Sequence, residues 1–161
     1  MKPLSAAIRD GNVIRAVIRE TACNQDGHTS VITTPSSDAQ LELIKGCYAR
    51  ARLDPLNTTV VETHGTGTRV GDPAEAKAIG NAIGLGRKQR LYIGSVKTNV
   101  GHTEAVSGLA SVIKMVMALE HQQIPPSLNF EKPNPDIDFQ ALCLQVCMLN
   151  TNSHYSFLII P

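Results

Sequence analysis

Two stretches of this sequence concentrate residues able to do chemistry. Val61 to Glu75 reads VETHGTGTRVGDPAE, and Gly94 to Gly108 reads GSVKTNVGHTEAVSG. In the first, His64 follows a short β-branched run and opens a glycine-rich turn. In the second, Lys97 stands five residues before His102, which itself precedes a long apolar stretch. Two imidazoles and an ammonium brought to one sheet edge could stabilise a developing oxyanion. A glycine turn holding a hydrogen-bonded loop histidine is the plainer account of the first stretch. A nucleotide-phosphate loop fits poorly. Gly65-x-Gly67-x-x-x-Gly71 has the wrong last spacing for a dinucleotide fingerprint, the following strand ends in Ser95 where a ribose-binding acid belongs, and no G-K-[ST] is present.

The four cysteines, Cys23, Cys47, Cys143 and Cys147, form no C-x-x-C pair, and the five histidines are scattered. That pattern argues against a zinc site, and no metal is expected. Reduced thiols are the default in a chain without a secretory signal.

The elements that must position these residues follow from periodicity. Asn12 to Glu20 alternates with period 2 and predicts a strand. After a turn-rich loop, Asn24 to Ser36, a helix is expected with Ser37 as cap, Gln40 completing a capping box, and Leu43, Ile44, Cys47, Tyr48 and Ala51 as its apolar stripe. Asp54-Pro55 ends it. Thr58 to Thr63 reads as a buried strand feeding the His64 turn. Asp72-Pro73-Ala74-Glu75 then opens a second helix, with Asp72 as cap and Gly84 as stop. Leu91 to Ser95 is a third strand, Val96 to Gly101 a loop, and Thr103 to Glu120 a helix apolar on nearly every side. The polar residues of that helix, Ser107, Ser111 and Lys114, form only a narrow stripe, so it is expected to be buried and central, with its N-terminal amides beside His102. Leu142 to Val146 is a further strand. The order β–α–β–α–β–α–β predicts a layered α/β architecture with both histidines at one edge of the sheet.

The chain has 161 residues, 42% hydrophobic and 18% charged, which is a globular composition of about one domain. Its formal charge of +1 gives no electrostatic footprint for nucleic acid and no polybasic anchor for a membrane. No apolar run reaches the roughly 18 residues of a span, and MKPLSAAIRDGNVIR lacks a signal peptide's apolar core. A soluble, cytoplasmic protein is the expectation, with residues 1–146 as the folded unit and 147–161 as a divergent tail.

Several strings resemble one family. His64-Gly65-Thr66-Gly67-Thr68 with Gly71-Asp72-Pro73-x-Glu75 is similar to the first histidine motif of β-ketoacyl synthases, and Lys97-Thr98-Asn99-Val100-Gly101-His102-Thr103-Glu104-Ala105 to the second. Asn24-Gln25-Asp26-Gly27, Ile124-Pro125-Pro126 and Asn129-Phe130-Glu131-x-Pro133-Asn134-Pro135 match further landmarks in the same order. The likeness is to the ketosynthase domain of type I polyketide synthases and runs over residues 4 to 146.

The resemblance implies an α/β, thiolase-like layered fold (αβαβα), and specifically its carboxyl-terminal half. It implies decarboxylative condensation of acyl and malonyl thioesters, with no cofactor beyond the phosphopantetheine arm of an acyl carrier protein domain. His64, His102 and Lys97 would be catalytic, with Lys97 hydrogen-bonding near His102, and Thr66 and Thr68 would line the carrier-arm tunnel. Glu104 would be a buried structural partner and Asn99 structural at the site. The implied partners are the carrier protein, the amino-terminal ketosynthase half and, as in the family, a second copy. Two departures stand out. The family's nucleophile sits in a D-T-A-C-S-S elbow of the other half; Thr21-Ala22-Cys23 imitates it but runs into NQDG, so no nucleophilic cysteine is assigned. The G-F-G-G-x-N stretch is missing, with Thr151-Asn152-Ser153-His154 near its place. A non-catalytic acyl- or partner-binding module is the alternative reading.

Overall fold

A computed structural model describes residues 1–29, 34–149, 151–152 and 157–159. In chain order the elements are α1 (Leu4–Arg9), α2 (Ser37–Ala51), β1 (Val60–Glu62), α3 (Gly71–Ile79), β2 (Leu91–Gly94), α4 (Lys97–Val100), α5 (Ser107–His121), β3 (Gln123–Ile124), β4 (Leu144–Val146), β5 (Thr151–Asn152) and β6 (Phe157–Ile159). The main sheet has the order β4-β2-β1-β6, and each of its three pairings is parallel. Parallel strands need crossovers, and α3 supplies the one between β1 and β2. The carboxyl ends of these two strands therefore open at the same edge.

Strand alternation divides the core between the two faces of the sheet. Val61, Leu91, Ile93 and Leu144 pack with Ile44 and Tyr48 of α2 and Ala76 and Ile79 of α3. Val60 packs on the other face with Met115 of α5, Ile124 and Cys147. The helical run after β1 ends in a π turn, Gly80–Gly84, where a Cβ on Gly84 would lie 2.1 Å from the Leu142 carbonyl oxygen. Gly84 thus ends the helical run, and close approach of the Leu142 backbone leaves room there for glycine only.

Some sequence expectations are corrected. Ser36, not Ser37, caps α2: its side chain accepts from the Ala39 N–H, which places Gln40 outside a capping box. Asp72 does not cap α3; Thr68 Oγ1 accepts from the Gly71 N–H, and Asp72 Oδ1 accepts from the Gly67 N–H. Residues 96–101 contain the short helix α4 rather than a plain loop. Asn12 to Glu20 forms no strand, and Val13, Ile14, Val17 and Ile18 are exposed. Among the described residues no strand lies alongside to take its backbone groups, and a strand without a ladder partner has no reason to persist as one. An Arg15–Glu120 ion pair of 2.6 Å tethers the segment to the end of α5.

The α5 expectation is reversed. Its polar stripe turns inward, with Ser107 and Ser111 buried, while Leu109, Ile113 and Met117 are 56%, 53% and 52% exposed. Beyond residue 146, β5 pairs with β3 and β6 extends the main sheet beside β1. Ser153 and His154, which the sequence places near the missing glycine-rich stretch, lie outside the described residues. Among the described residues no helix is long and apolar enough to cross a membrane.

Candidate functional site

β1 ends at Glu62 and delivers His64 into its turn; β2 ends at Gly94 and delivers Lys97 at the start of α4. Because the two strands are adjacent and parallel, their following loops meet. The His64 and His102 rings lie edge to face with centroids 5.3 Å apart. The turn between them is tightly built. Gly65 has φ +51°, and a Cβ there would stand 2.8 Å from Thr63 Oγ1 and 2.9 Å from Ser95 Cβ, so only glycine fits.

Hydrogen bonds fix both histidine loops. Buried Glu75 accepts from the His64 N–H at 2.7 Å and the Gly65 N–H at 3.0 Å. Its carboxyl is raised above the ordinary 4.5, by burial first, against the two N–H bonds that favour the anion. His102 Nδ1 accepts from the Glu104 N–H at 2.9 Å, which leaves the ring proton of neutral His102 on Nε2. That N–H belongs to a 3₁₀ turn, Glu104–Val106, and α5 begins only at Ser107. His102 is therefore seated on this turn and not, as the sequence predicts, on the amino end of the long helix.

His64 Nδ1 and Lys97 Nζ are buried atoms without a hydrogen-bond partner among the described residues. The expected hydrogen bond of Lys97 near His102 is not formed. The lysine acts on His64 by charge: burial first, then Lys97, then His102 hold the His64 imidazole below its ordinary 6.5, with Asp72 opposing. A neutral His64, an Nε2–H on His102 and a nearby ammonium make a set of donors suited to negative charge on a bound oxygen.

Thr66 and Thr68 line a cleft of about 650 Å³ together with His64, Asp72, Glu75 and Cys23. Both threonines are exposed, so they border an open groove. Glu104 overturns its expectation: its side chain is 89% exposed, 3.9 Å from His102 Nδ1, and its role in the loop is carried by its backbone. Asn99 is exposed on α4 and accepts from Thr98 Oγ1 at 3.1 Å. Sequence reading missed the placement of Glu62, Glu75 and Lys114 around these loops. The signal for Glu62 and Lys114, which form a 2.5 Å ion pair, was a lone acid in the strand TTVVET and a lone lysine in an otherwise apolar helix.

A parallel sheet carrying two facing histidine loops at its carboxyl edge defines a ketosynthase-type half-domain. Residues 15–131 match the family model described as beta-ketoacyl synthase, C-terminal domain, and the chain belongs to this family. It is 59% identical over 148 residues to a highly reducing polyketide synthase of Penicillium oxalicum, covering 91% of this chain and 6% of that protein. A highly reducing polyketide synthase of Emericella nidulans is 57% identical over the same shares. Among solved structures, the oxazolomycin ketosynthase domain OzmH KS7 of Streptomyces albus superposes with TM-score 0.89 at 36% identity, over 94% of this chain and 27% of that one. The module 6 ketosynthase of the Bacillus subtilis bacillaene synthase gives 0.89 at 37%, over the same shares. The fold is thus the carboxyl-terminal half of the thiolase-like ketosynthase architecture, and the chain spans only about 6% of the curated relatives' length.

Proposed function

We propose that this chain supplies the electrophilic half of a polyketide-type ketosynthase site. The observation that carries the reading is the His64–His102 contact at 5.3 Å, with the neutral His102 proton directed to Nε2. A malonyl thioester presented by the phosphopantetheine arm of an acyl carrier protein enters the groove along Thr66 and Thr68. Its C–C bond to the carboxylate breaks, carbon dioxide leaves, and the electron pair forms an enolate. His64 and His102 stabilise the thioester oxygen of that enolate, and Lys97 adds positive charge beside them. In a complete ketosynthase the enolate carbon attacks an acyl group on the nucleophilic cysteine of the other half. In this chain alone it takes a proton from solvent and leaves an acetyl thioester. The partners of the reading are the carrier domain, the amino-terminal ketosynthase half and a second copy of the domain, in a cytoplasmic setting.

The test is carbon dioxide release from malonyl-pantetheine carrier protein by the 161-residue chain and its His64→Ala and His102→Ala variants. Each variant is expected to lose about 100-fold in rate, the cost of removing one oxyanion donor. Release at the parent's rate in both variants would refute the reading. A second reading, a binding module without turnover, is favoured by the exposed stripe Leu109, Ile113 and Met117, and absence of any release by the parent chain would select it.

A further inference from the structure

Three elements that border the candidate catalytic loops, β1, α4 and α5, converge on one carboxylate. Glu62, 0% exposed, is the last residue of β1 and stands two positions before His64. Its Oε1 accepts from the Val96 N–H at 2.6 Å, and Val96 is the residue on which the Lys97 helix α4 starts. Its Oε2 accepts from Lys114 Nζ at 2.5 Å, with the lysine side chain only 16% exposed on α5, the helix that follows His102. Strand alternation places Glu62 on the Val60 face, toward α5, so the strand register makes the contact available. A carboxylate in such a place is costly unless paired and hydrogen-bonded, and here both oxygens are engaged.

We propose that the Glu62–Lys114 pair is a positioning device that fixes the Lys97 turn against the His64 loop. Glu62 touches neither histidine ring; it acts through the backbone of Val96 and through α5. Val96 has φ −61° and ψ −20° and gives its N–H to this carboxylate, so the direction in which α4 leaves β2 is set from β1. The proposal rests on reading His64, Lys97 and His102 as one electrophilic site, but it concerns geometry that exists without turnover.

Its test uses the full chain and a readout that a merely structural role would leave alone. Diethylpyrocarbonate modifies a histidine only in its neutral form, so the pH dependence of carbethoxylation resolved at His64 by mass spectrometry gives the titration midpoint of that ring. The charged and titratable neighbours acting on that ring are Lys97, His102 and Asp72, and Lys97 holds it down. Glu62→Gln keeps the shape but turns an amide toward Lys114. Val96→Pro fits the local φ and removes the donated N–H while leaving the ion pair intact. Both variants are expected to move the His64 midpoint up toward 6.5, because Lys97 is no longer held beside the ring. A folded Glu62→Gln chain with the parent's midpoint overturns the proposal. If Glu62→Gln does not fold, Val96→Pro decides alone: a raised midpoint upholds it and an unchanged one overturns it. The midpoint is read whether or not the chain decarboxylates a malonyl thioester, so this failure and a failure of the functional reading are separate results.

Discussion

His64 shows how a single side chain links burial to pH response. Its imidazole is held below 6.5 in the folded chain, chiefly by burial. Between that depressed value and 6.5 the unfolded chain binds a proton that the folded chain refuses, so stability rises with pH there. The contribution is fully present above 6.5 and is lost as pH falls through the folded value. Glu75 has the opposite sign: its raised carboxyl favours the folded state below 4.5, and that contribution fades as pH rises through its folded value. His64→Gln removes the first effect and keeps the second. The variant is expected to lose less thermal stability than the parent on acidification from about pH 7 to about pH 5, the histidine window. Equal losses in melting temperature would show that His64 is not desolvated as described. At this scale the sequence was partly legible. His64 sits just past β1 and His102 follows the adjacent strand β2 by way of α4, so their meeting at one sheet edge followed from parallel topology. The exposure of Glu104 did not, because a φ of +49° turns its side chain outward while its N–H binds His102, and no spacing rule encodes that.

Helix α5 is the element whose sequence and surroundings disagree within this chain. Its apolar residues outnumber what one sheet face can cover. The face that meets the sheet carries Ser107, Ser111 and Met115, with Lys114 reaching Glu62, so the remaining apolar stripe of Leu109, Ile113 and Met117 faces outward. An exposed apolar stripe of this kind offers surface that a hydrophobic dye or another apolar surface can bind. Replacing Leu109, Ile113 and Met117 together by glutamine is expected to reduce binding of a hydrophobic dye and to reduce self-association. Each exposed substitution should change stability by no more than about 0.5 kcal/mol. Dye binding that persists at the parent's level, or a collapse of the melt, would show that the stripe is part of this chain's own core. Periodicity found α2, α3, β1, β2 and α5, because their apolar spacing or β-branched runs are strong local signals. It misread Asn12 to Glu20 for the same reason that it overburied α5: alternation and apolarity report what an element could bury, and among the described residues nothing covers these side chains. The displacement of the α2 cap from Ser37 to Ser36 is a smaller case, since two adjacent serines offer the same hydroxyl.

At the scale of the molecule, the chain superposes over 94% of its own length on 27% of a solved ketosynthase chain. Forming the carbon–carbon bond requires an acyl group held as a thioester while the enolate is generated, since covalent catalysis divides one hard step into two. The thiol that holds it must reach its thiolate easily, which a helix amino terminus or a cationic neighbour promotes. None of the four cysteines sits at a helix amino terminus, and Arg50, the cationic neighbour of Cys47, is outweighed by burial and by Glu20. Cys47 lies within α2 with its thiol pushed up, by burial first and then by Glu20; Cys143 and Cys147 flank β4; Cys147 is buried. Cys23 is the instructive case, because it is exposed and lines the same cleft as His64. It sits on an extended segment with no helix directly after it, and access alone does not make a nucleophile. The chain by itself is therefore expected to form no acyl-enzyme and no condensation product, whatever decarboxylation its histidines support. Incubation with an acyl thioester followed by intact mass spectrometry should show only the parent mass. Addition of a separately produced amino-terminal ketosynthase half should bring an adduct, located on that half. A stoichiometric acyl group on Cys23 that passes to a malonyl carrier protein would overturn both expectations and make this cleft a self-sufficient site.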